Sequence, residues 1–194
     1  MRHLLTLPNQ LTLLRLALLP VILILMLYGR HGLVLVLFMT AGISDIIDGV
    51  VARRFNLRTP LGAYLDPIAD KLLLSSSFLV MSLIGSIPWW VTVLVLMRDL
   101  IILATSAVVA LATPIRDFPP SVWGKLNTGC QVAAVFGVAL RNAYPEFFLS
   151  RLASPAVWTA AASTVVSGVH YAWLTTRKLS RGGSEEPPAS PDYH

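Results

Sequence analysis

Residues Asp45–Asp70 read DIIDGVVARRFNLRTPLGAYLDPIAD, a stretch that places four carboxylates in a chain whose flanks are almost purely apolar. Asp45 and Asp48 are three residues apart, and Asp66 and Asp70 are four apart. On a helix, either spacing puts both side chains on one face. Two helices joined by a turn at residues 56–60 would therefore aim all four carboxylates at one point.

A cluster of this kind favours a site for divalent metal ions. Carboxylates this close repel one another strongly in a low-dielectric site, so they need a compensating cation. Ligands that are all oxygen select hard ions, Mg²⁺ or Mn²⁺. Two such ions, roughly 3.5–4 Å apart, are a recurrent device for displacement at phosphorus. For any one of these acids alone, a buried ion pair, a proton relay or a helix cap is the competing interpretation.

The stretch also resembles, at every specified position, the signature of the CDP-alcohol phosphatidyltransferases: D-x-x-D-G-x-x-A-R, eight residues, then G-x-x-x-D-x-x-x-D. The resemblance implies that a pair of metal ions is held by Asp45, Asp48, Asp66 and Asp70, and that Asp70 is also the general base. It implies, further, that four residues between the acids approach the CDP pyrophosphate: Gly49, Ala52, Arg53 and Gly62.

Composition indicates an integral membrane protein. Of 194 residues, 55% are hydrophobic and 13% are charged, about half the charged fraction of a soluble domain. The net charge of +5 does not indicate a nucleic-acid partner, because the basic residues gather at segment ends, where they act as topology signals and contact anionic lipids. The single cysteine, Cys130, rules out an intramolecular disulfide and is expected to be inert packing.

The hydropathy pattern predicts an all-α membrane domain with six transmembrane helices. An amphipathic segment, Met1–Arg15, precedes and overlaps the first of them. Each apolar run approaches or exceeds the roughly 20 residues that cross a bilayer. The runs are Leu11–Leu27, Gly32–Val51, Leu61–Ile84, Pro88–Leu111, Val122–Leu140 and Ala156–Thr175. We expect one domain over residues 1–179 and a disordered, Pro/Gly-rich tail over residues 180–194.

Loop charge predicts the orientation. Most Arg and Lys lie in the N-terminus, the 53–58 loop, the 113–125 loop and the tail, whereas the alternate loops hold only Arg30, Arg141 and Arg151. We expect the protein in the cytoplasmic (inner) membrane. By the positive-inside rule, both termini and the acidic turn then face the cytoplasm.

The N-terminal run PNQLTLLR contains a polar stripe, Asn9, Thr12 and Arg15. One interpretation is an interfacial helix whose Arg15 reaches the headgroups. The other is contact with the substrate, because several members of the family begin with a similar P-N-x-L-T-x-x-R run that is implicated in holding the CDP moiety.

Two cations further along the chain are candidates for binding the acceptor. Arg98 and Asp99 are adjacent on a helix, where side chains point about 100° apart, so Arg98 is expected to meet a ligand phosphate or the acidic cluster rather than Asp99. Lys125 near a helix start suits an anion, with a headgroup contact as the alternative. The role of Lys71 stays open, and His170 is expected to hydrogen-bond between helices.

The resemblance implies transfer of a phosphatidyl group from CDP-diacylglycerol to a glycerol-type acceptor, with release of CMP. Phosphatidylglycerophosphate synthases of the family commonly carry a second arginine two turns after Arg98, and this chain has Thr105-Ser106-Ala107 there. The Arg98-Asp99 pair and the run KLNT at residues 125–128 instead resemble cardiolipin synthases, so phosphatidylglycerol is the favoured acceptor and glycerol-3-phosphate the alternative. An ion or metal transporter is the rival from another class. The resemblance also implies a homodimer as a candidate assembly.

Overall fold

The computed structural model describes the backbone of residues 7–54, 60–112 and 122–182, and the side chains of residues 12–44, 68–105 and 122–174. Within these ranges the chain is all helical, without a strand, and the six predicted helices are confirmed as helices. Their bounds are α1 Leu7–Leu27, α2 His31–Arg54, α3 Pro60–Leu83, α4 Trp89–Ala112, α5 Val122–Ala143 and α6 Ala153–Gly182, with a 3₁₀ helix at Phe148–Leu152 before α6.

The predicted amphipathic start, Met1–Arg15, overlaps the first helix, and its described part is continuous with that helix. Residues from Leu7 onward belong to α1, which continues without a break to Leu27. The physical reason is local. Pro8 stands in the first turn, where a missing N–H costs nothing, and no glycine interrupts the residues that follow. Met1–Thr6 lie outside the described residues.

Helices α1 and α3 end in the same kind of turn at the same end of the bundle. Gly29 (φ 69°) and Gly85 (φ 74°) take up the left-handed conformation that glycine adopts without strain. In each turn the N–H of the glycine and that of the next residue, Arg30 or Ser86, donate to carbonyls three and five residues earlier, at 2.8–3.1 Å. These are Schellman caps, which satisfy the last carbonyls of a helix and stop it sharply.

Tight contacts between small residues hold the second half of the bundle together. α5 packs along α6, where a Cβ on Gly137 would lie 3.3 Å from the Ala153 Cα. α4 packs on α3 and α6, with the rings of Trp90 and Trp158 centred 5.2 Å apart. α1 lies against α2 and α3, and α5 also contacts α2 and α3. In this arrangement, polar side chains from α1, α3, α4 and α6 come together at one depth of the bundle.

Large apolar side chains cover much of the outer surface, including Leu103 (68% exposed) and Val169 (66% exposed). Such a continuous apolar surface is typical of a chain that meets lipid rather than water. Among the described residues, one helical stretch, Phe148–Leu174, is long and apolar enough to cross a membrane, and Thr12–Leu27 and His31–Ser44 are shorter apolar helices. The prediction of six spanning helices is thus matched in helix number, while clear spanning length is found for one.

Candidate active site

The backbone meets the first condition for the predicted acidic cluster. Asp45 and Asp48 lie on α2, and Asp66 and Asp70 on α3, so each pair has the helical spacing that the cluster requires. Of the four side chains, only that of Asp70 is among the described ones. The side chains of seven predicted site residues on these two helices lie outside them: Asp45, Asp48, Gly49, Ala52, Arg53, Gly62 and Asp66.

Asp70 is joined to α1 through Arg15. The Arg15 Nη1 donates to the Asp70 Oδ1 at 2.6 Å, and the side chains are 7% and 44% exposed respectively. A charge-assisted hydrogen bond this short fixes the position of the carboxylate. Two residues that the sequence assigned to one site from separate helices are therefore brought together.

Thr12 lies one turn before Arg15 on α1, on the side of the helix that faces the Arg15–Asp70 pair. It is 3% exposed, close to Arg15 on the inward face of the helix. The remaining member of the predicted stripe, Asn9, lies on α1, but its side chain is outside the described ones. The inward position of Thr12 and Arg15 disagrees with the interpretation of Arg15 as a headgroup-seeking side chain on an interfacial helix.

A second set of polar contacts crosses the bundle beside Asp70. Lys71 Nζ lies 2.6 Å from Asp99 Oδ1, which also accepts from Arg98 Nη1 at 2.8 Å, and Arg98 Nη2 donates to Ser167 Oγ at 2.6 Å. These four residues form the polar chain, which links α3, α4 and α6. Lys71 thereby acquires a partner in α4.

The prediction that Arg98 would not pair with Asp99 was wrong. Adjacent Cβ atoms do point apart on a helix, but the arginine side chain is long enough to bring its guanidinium back to the neighbouring carboxylate. Both side chains are largely buried, at 9% and 13% exposed, and a buried charge needs such a partner. Whether Arg98 also binds the acceptor stays a prediction.

Arg98 borders the start of α5, where Lys125 lies. A Cβ on Gly124 would lie 3.6 Å from Arg98 Nη2, and a Cβ on Gly168 would lie 3.7 Å from Arg98 Cγ. The absent side chains thus make room for the guanidinium between α5 and α6. Lys125 itself is exposed. The two predicted acceptor residues are therefore neighbours at the level of the bundle where Asp70 lies.

Sequence reasoning missed the polar contacts between α5 and α6. Asn127 is fully buried, and its Oδ1 accepts from Ser163 Oγ at 2.8 Å and from Thr164 Oγ1 at 2.9 Å. Ser163 and Ser167 are spaced i,i+4 on α6, and small hydroxyl residues at that spacing often mark a helix–helix contact in membranes. That spacing is the signal that could have located this interface.

Several buried nitrogen atoms near this interface have no hydrogen-bond partner within the described part of the chain. They are Arg98 Nε, Asn127 Nδ2, Gln131 Nε2 and His170 Nδ1. The expected helix–helix hydrogen bond of His170 is therefore not made by this nitrogen. Its ring instead lies near those of Trp123 and Trp173, with centroids 6.2 and 6.3 Å away.

Chemically, the described residues provide a carboxylate oriented by a guanidinium and, beside it, a cationic chain. The half-exposed Asp70 is placed to accept a proton, and the charges of Lys71, Asp99 and Arg98 add up to one net positive charge close to it. Such a combination suits a reaction on an anionic substrate at a boundary between water and apolar surface.

Comparison with known proteins identifies the family of the chain. A family model described as CDP-alcohol phosphatidyltransferase matches residues 5–166. A probable phosphatidylglycerophosphate synthase of Mycobacterium tuberculosis is 40% identical over 181 residues, covering 89% of this chain and 83% of the relative. The CDP-diacylglycerol–glycerol-3-phosphate 3-phosphatidyltransferase of Bacillus subtilis is 34% identical, covering 85% and 92%. The human CMP-forming cardiolipin synthase is 31% identical, covering 90% and 64%.

Proposed function

The chain belongs to the CDP-alcohol phosphatidyltransferase family, and we propose on that premise that it transfers the phosphatidyl group of CDP-diacylglycerol to a glycerol-type acceptor and releases CMP. The family consists of membrane-associated enzymes of phospholipid biosynthesis, so the transporter alternative has no support. The single observation that carries the proposal at the level of the site is the contact between Arg15 and Asp70, which joins the N-terminal run PNQLTLLR to the last acid of the family signature.

Glycerol-3-phosphate is the proposed acceptor. The two phosphatidylglycerophosphate synthase relatives are more similar to this chain, at 40% and 34% identity, than the human cardiolipin synthase at 31%. This ranking favours glycerol-3-phosphate over phosphatidylglycerol, the acceptor expected from the missing second arginine. A dianionic acceptor also agrees with the positive charge that Arg98 and Lys71 place around the Asp99 carboxylate, and with the further cation Lys125 near the start of α5.

Phosphatidylglycerol remains the second candidate acceptor, because of one observation. Both terminal nitrogens of Arg98 already have partners, Asp99 and Ser167, which reduces what this side chain offers to a phosphate dianion. Phosphatidylglycerol presents the hydroxyl groups of its terminal glycerol and carries one phosphodiester charge, so it needs less cationic charge than a phosphate dianion.

In the proposed reaction an acceptor hydroxyl attacks the phosphorus that carries the diacylglycerol. The bond from that phosphorus to the CMP oxygen breaks, CMP leaves with the electron pair, and the hydroxyl proton passes to Asp70. Arg15 holds Asp70 in position, and Arg53 contacts the pyrophosphate. Thr12 and Asn9 hold the CDP moiety.

Two divalent ions, Mg²⁺ or Mn²⁺, complete the proposed site, held by Asp45, Asp48, Asp66 and Asp70. The chemistry of the donor set fits hard cations, since every ligand is a carboxylate and the pairs stand on two helical segments. When bound, such ions neutralise charge on the pyrophosphate and on the departing CMP. Gly49, Ala52 and Gly62 leave space for the phosphates.

We place both termini and the acidic turn at the cytoplasmic face of the inner membrane, supported by the distribution of basic residues between alternate loops. This places the proposed site where CDP-linked substrates and CMP occur. A homodimer is the proposed assembly.

The test is an assay of CMP release by purified protein in proteoliposomes that contain CDP-diacylglycerol and Mg²⁺. Parallel reactions receive glycerol-3-phosphate or phosphatidylglycerol, and the lipid product is identified by mass spectrometry. EDTA should stop the release, and added Mg²⁺ or Mn²⁺ should restore it.

Phosphatidylglycerophosphate formed only with glycerol-3-phosphate would support the main proposal. Cardiolipin formed only with phosphatidylglycerol would replace it by the second candidate. CMP release that is insensitive to EDTA would contradict the metal assignment, and no release with either acceptor would contradict the proposed transfer.

A further inference from the structure

A small recess opens at the end of the bundle away from Asp70. It has a volume of about 250 Å³ and lies between the ends of α1 and α3 and the last turn of α5. Its lining residues are Met26, Leu27, Gly29, His31, Ile84, Ser86 and Asn142. The C-terminal end of α3 is about 20 Å from Asp70 at 1.5 Å per residue, so this recess is separate from the proposed catalytic site.

The two Schellman caps shape the recess. The caps place Arg30 and Ser86 directly after the two glycines, and α5 is tied to the second cap by two hydrogen bonds. Arg141 Nη2 donates to the Ser86 carbonyl at 2.6 Å, and Asn142 Nδ2 donates to Ser86 Oγ at 2.8 Å. The recess is thus held by defined contacts rather than formed between loose loops.

The charge around the recess is positive. His31 lines it, Arg30 stands between the lining residues Gly29 and His31 in the sequence, and Arg141 donates to the carbonyl of the lining residue Ser86. No acidic residue lines it, and Glu146 is the one acid among the described side chains at this end of the bundle, where it lines the neighbouring surface instead. Arg141 is partly buried, and its hydrogen bond to the Ser86 carbonyl does not neutralise its charge. A polar recess with uncompensated cations suits an anion.

The surroundings of the recess indicate a lipid. Tyr28 (79% exposed) and Trp89 (72% exposed) lie at the same end, next to the turns that form it. Exposed Tyr and Trp at one end of an apolar bundle mark the level of the membrane headgroups. Phosphates of anionic phospholipids lie at that level, and cationic side chains there attract them.

We propose that this recess binds the phosphate group of an anionic phospholipid in the leaflet opposite the catalytic site. Arg141 and Arg30 supply the charge, and Ser86 and Asn142 supply polar contacts at the floor. The acyl chains then lie along the apolar surface beside α1 and α3. This proposal does not depend on the proposed transfer reaction, since it concerns the other end of the molecule.

The test measures lipid retained by the purified protein in native mass spectrometry. Phosphatidic acid is the anionic probe, phosphatidylcholine the zwitterionic one, and inorganic phosphate the soluble one. We compare wild type with Arg30→Gln, Arg141→Gln and the double variant. Arg151→Gln is the matched control, because it removes an exposed arginine at the same end that is neither next to a lining residue in the sequence nor hydrogen-bonded to one.

Each recess substitution should lower the retention of phosphatidic acid by about fivefold, the effect of one cation near a headgroup, and the double variant by more. The retention of phosphatidylcholine should be the same in all variants, and the Arg151→Gln variant should retain as much phosphatidic acid as wild type. CMP release should also stay within twofold of wild type, which separates this recess from phosphatidic acid bound at the catalytic site.

Arg141→Lys keeps the charge and guards against a loss of fold, so it should retain most of the lipid, with a thermal unfolding midpoint near that of wild type. A double variant that retains phosphatidic acid like wild type would overturn the proposal. Inorganic phosphate that stabilises wild type as much as phosphatidic acid does, but not the double variant, would identify a free-anion site and overturn the lipid assignment.

Discussion

At the scale of single residues, the decisive contact joins Arg15 and Asp70 across 55 residues of chain. Because Asp70 is about half exposed while Arg15 is nearly buried, the carboxylate faces the open side of the pair and the guanidinium its protein side. A residue in that position can exchange a proton with a substrate and still be held in place. Substitution of Asp70 is therefore expected to slow the reaction far more than substitution of neighbouring residues does.

Asp70→Asn should lower CMP release by at least about 10³-fold, because the amide keeps the shape of the side chain but cannot take up the acceptor's proton. Binding of CDP-diacylglycerol, measured by equilibrium binding to the purified variant, should persist. Asp99→Glu, which preserves charge one helix away, serves as the control. Turnover near the wild-type rate in Asp70→Asn would contradict the role of Asp70 as base.

At the scale of elements, the polar chain connects three helices through one carboxylate. Asp99 pairs with Lys71 of α3 and with Arg98 of its own helix, and Arg98 also donates a hydrogen bond to Ser167 on α6. Loss of the carboxylate would leave Arg98 buried without a counter-charge, which is costly in an apolar interior.

Asp99→Asn should destabilise the protein by roughly 3 kcal/mol, the lower end of what breaking a buried pair costs. Thermal unfolding in detergent would measure the change, and Asp99→Glu should recover most of it. An Asp99→Asn variant as stable as wild type would show that the polar chain does not hold the helices together.

The two glycine caps allow another element-scale prediction. Gly29→Ala and Gly85→Ala should each destabilise the fold by about 1 kcal/mol, because alanine is strained at positive φ. Gly129→Ala is the matched control. Gly129 is helical with open space around it, so alanine there should be neutral or slightly stabilising. Equal stability of the cap variants and wild type in a denaturation series would contradict this explanation of the turns.

At the scale of the whole molecule, the ends of the bundle differ in chemistry. The caps, the recess and the exposed aromatic rings of Tyr28 and Trp89 lie at one end, whereas the polar chain and the Arg15–Asp70 pair lie near the middle of their helices. The proposed orientation follows if the end with the caps faces away from the cytoplasm.

Cysteine labelling would test that orientation. With the one native cysteine removed by Cys130→Ser, Ser184→Cys should react with a membrane-impermeant maleimide only from the cytoplasmic side. Arg151→Cys should react only from the opposite side, because the residue is exposed at the other end of the bundle. Labelling of both from one side would contradict the single crossing by α6 between them and the proposed topology.

The lengths of the apolar runs sufficed to predict the six helices, because a long apolar run in lipid has few alternatives to a helix. Their ends were harder. Helix α6 continues past the apolar run and through the predicted tail boundary to Gly182, because basic residues are good helix formers and are favourable near a helix C-terminus. Residues 183–194 lie outside the described ones.

Some features of the candidate site could likewise be predicted from the sequence, and others could not. The helical spacing of the acids and the joint assignment of Arg15 and Asp70 followed from motif spacing, which local sequence carries. The return of Arg98 to Asp99 depends on side-chain length and on the space beside Gly124, and the contacts of Asn127 depend on how α6 packs. Such tertiary details have no signal within a single helix.

The Arg15–Asp70 contact also bears on how the protein is made. α1 leaves the ribosome first, with an arginine in an otherwise apolar helix, and an unpaired arginine at the centre of such a helix costs about 2.5–3.5 kcal/mol on insertion scales. Its partner is synthesised 55 residues later, near the middle of α3. The first helix is thus expected to settle in the bilayer only when the third arrives, so that the first three helices enter the membrane as one unit and the Asp70 carboxylate is in place as soon as they do.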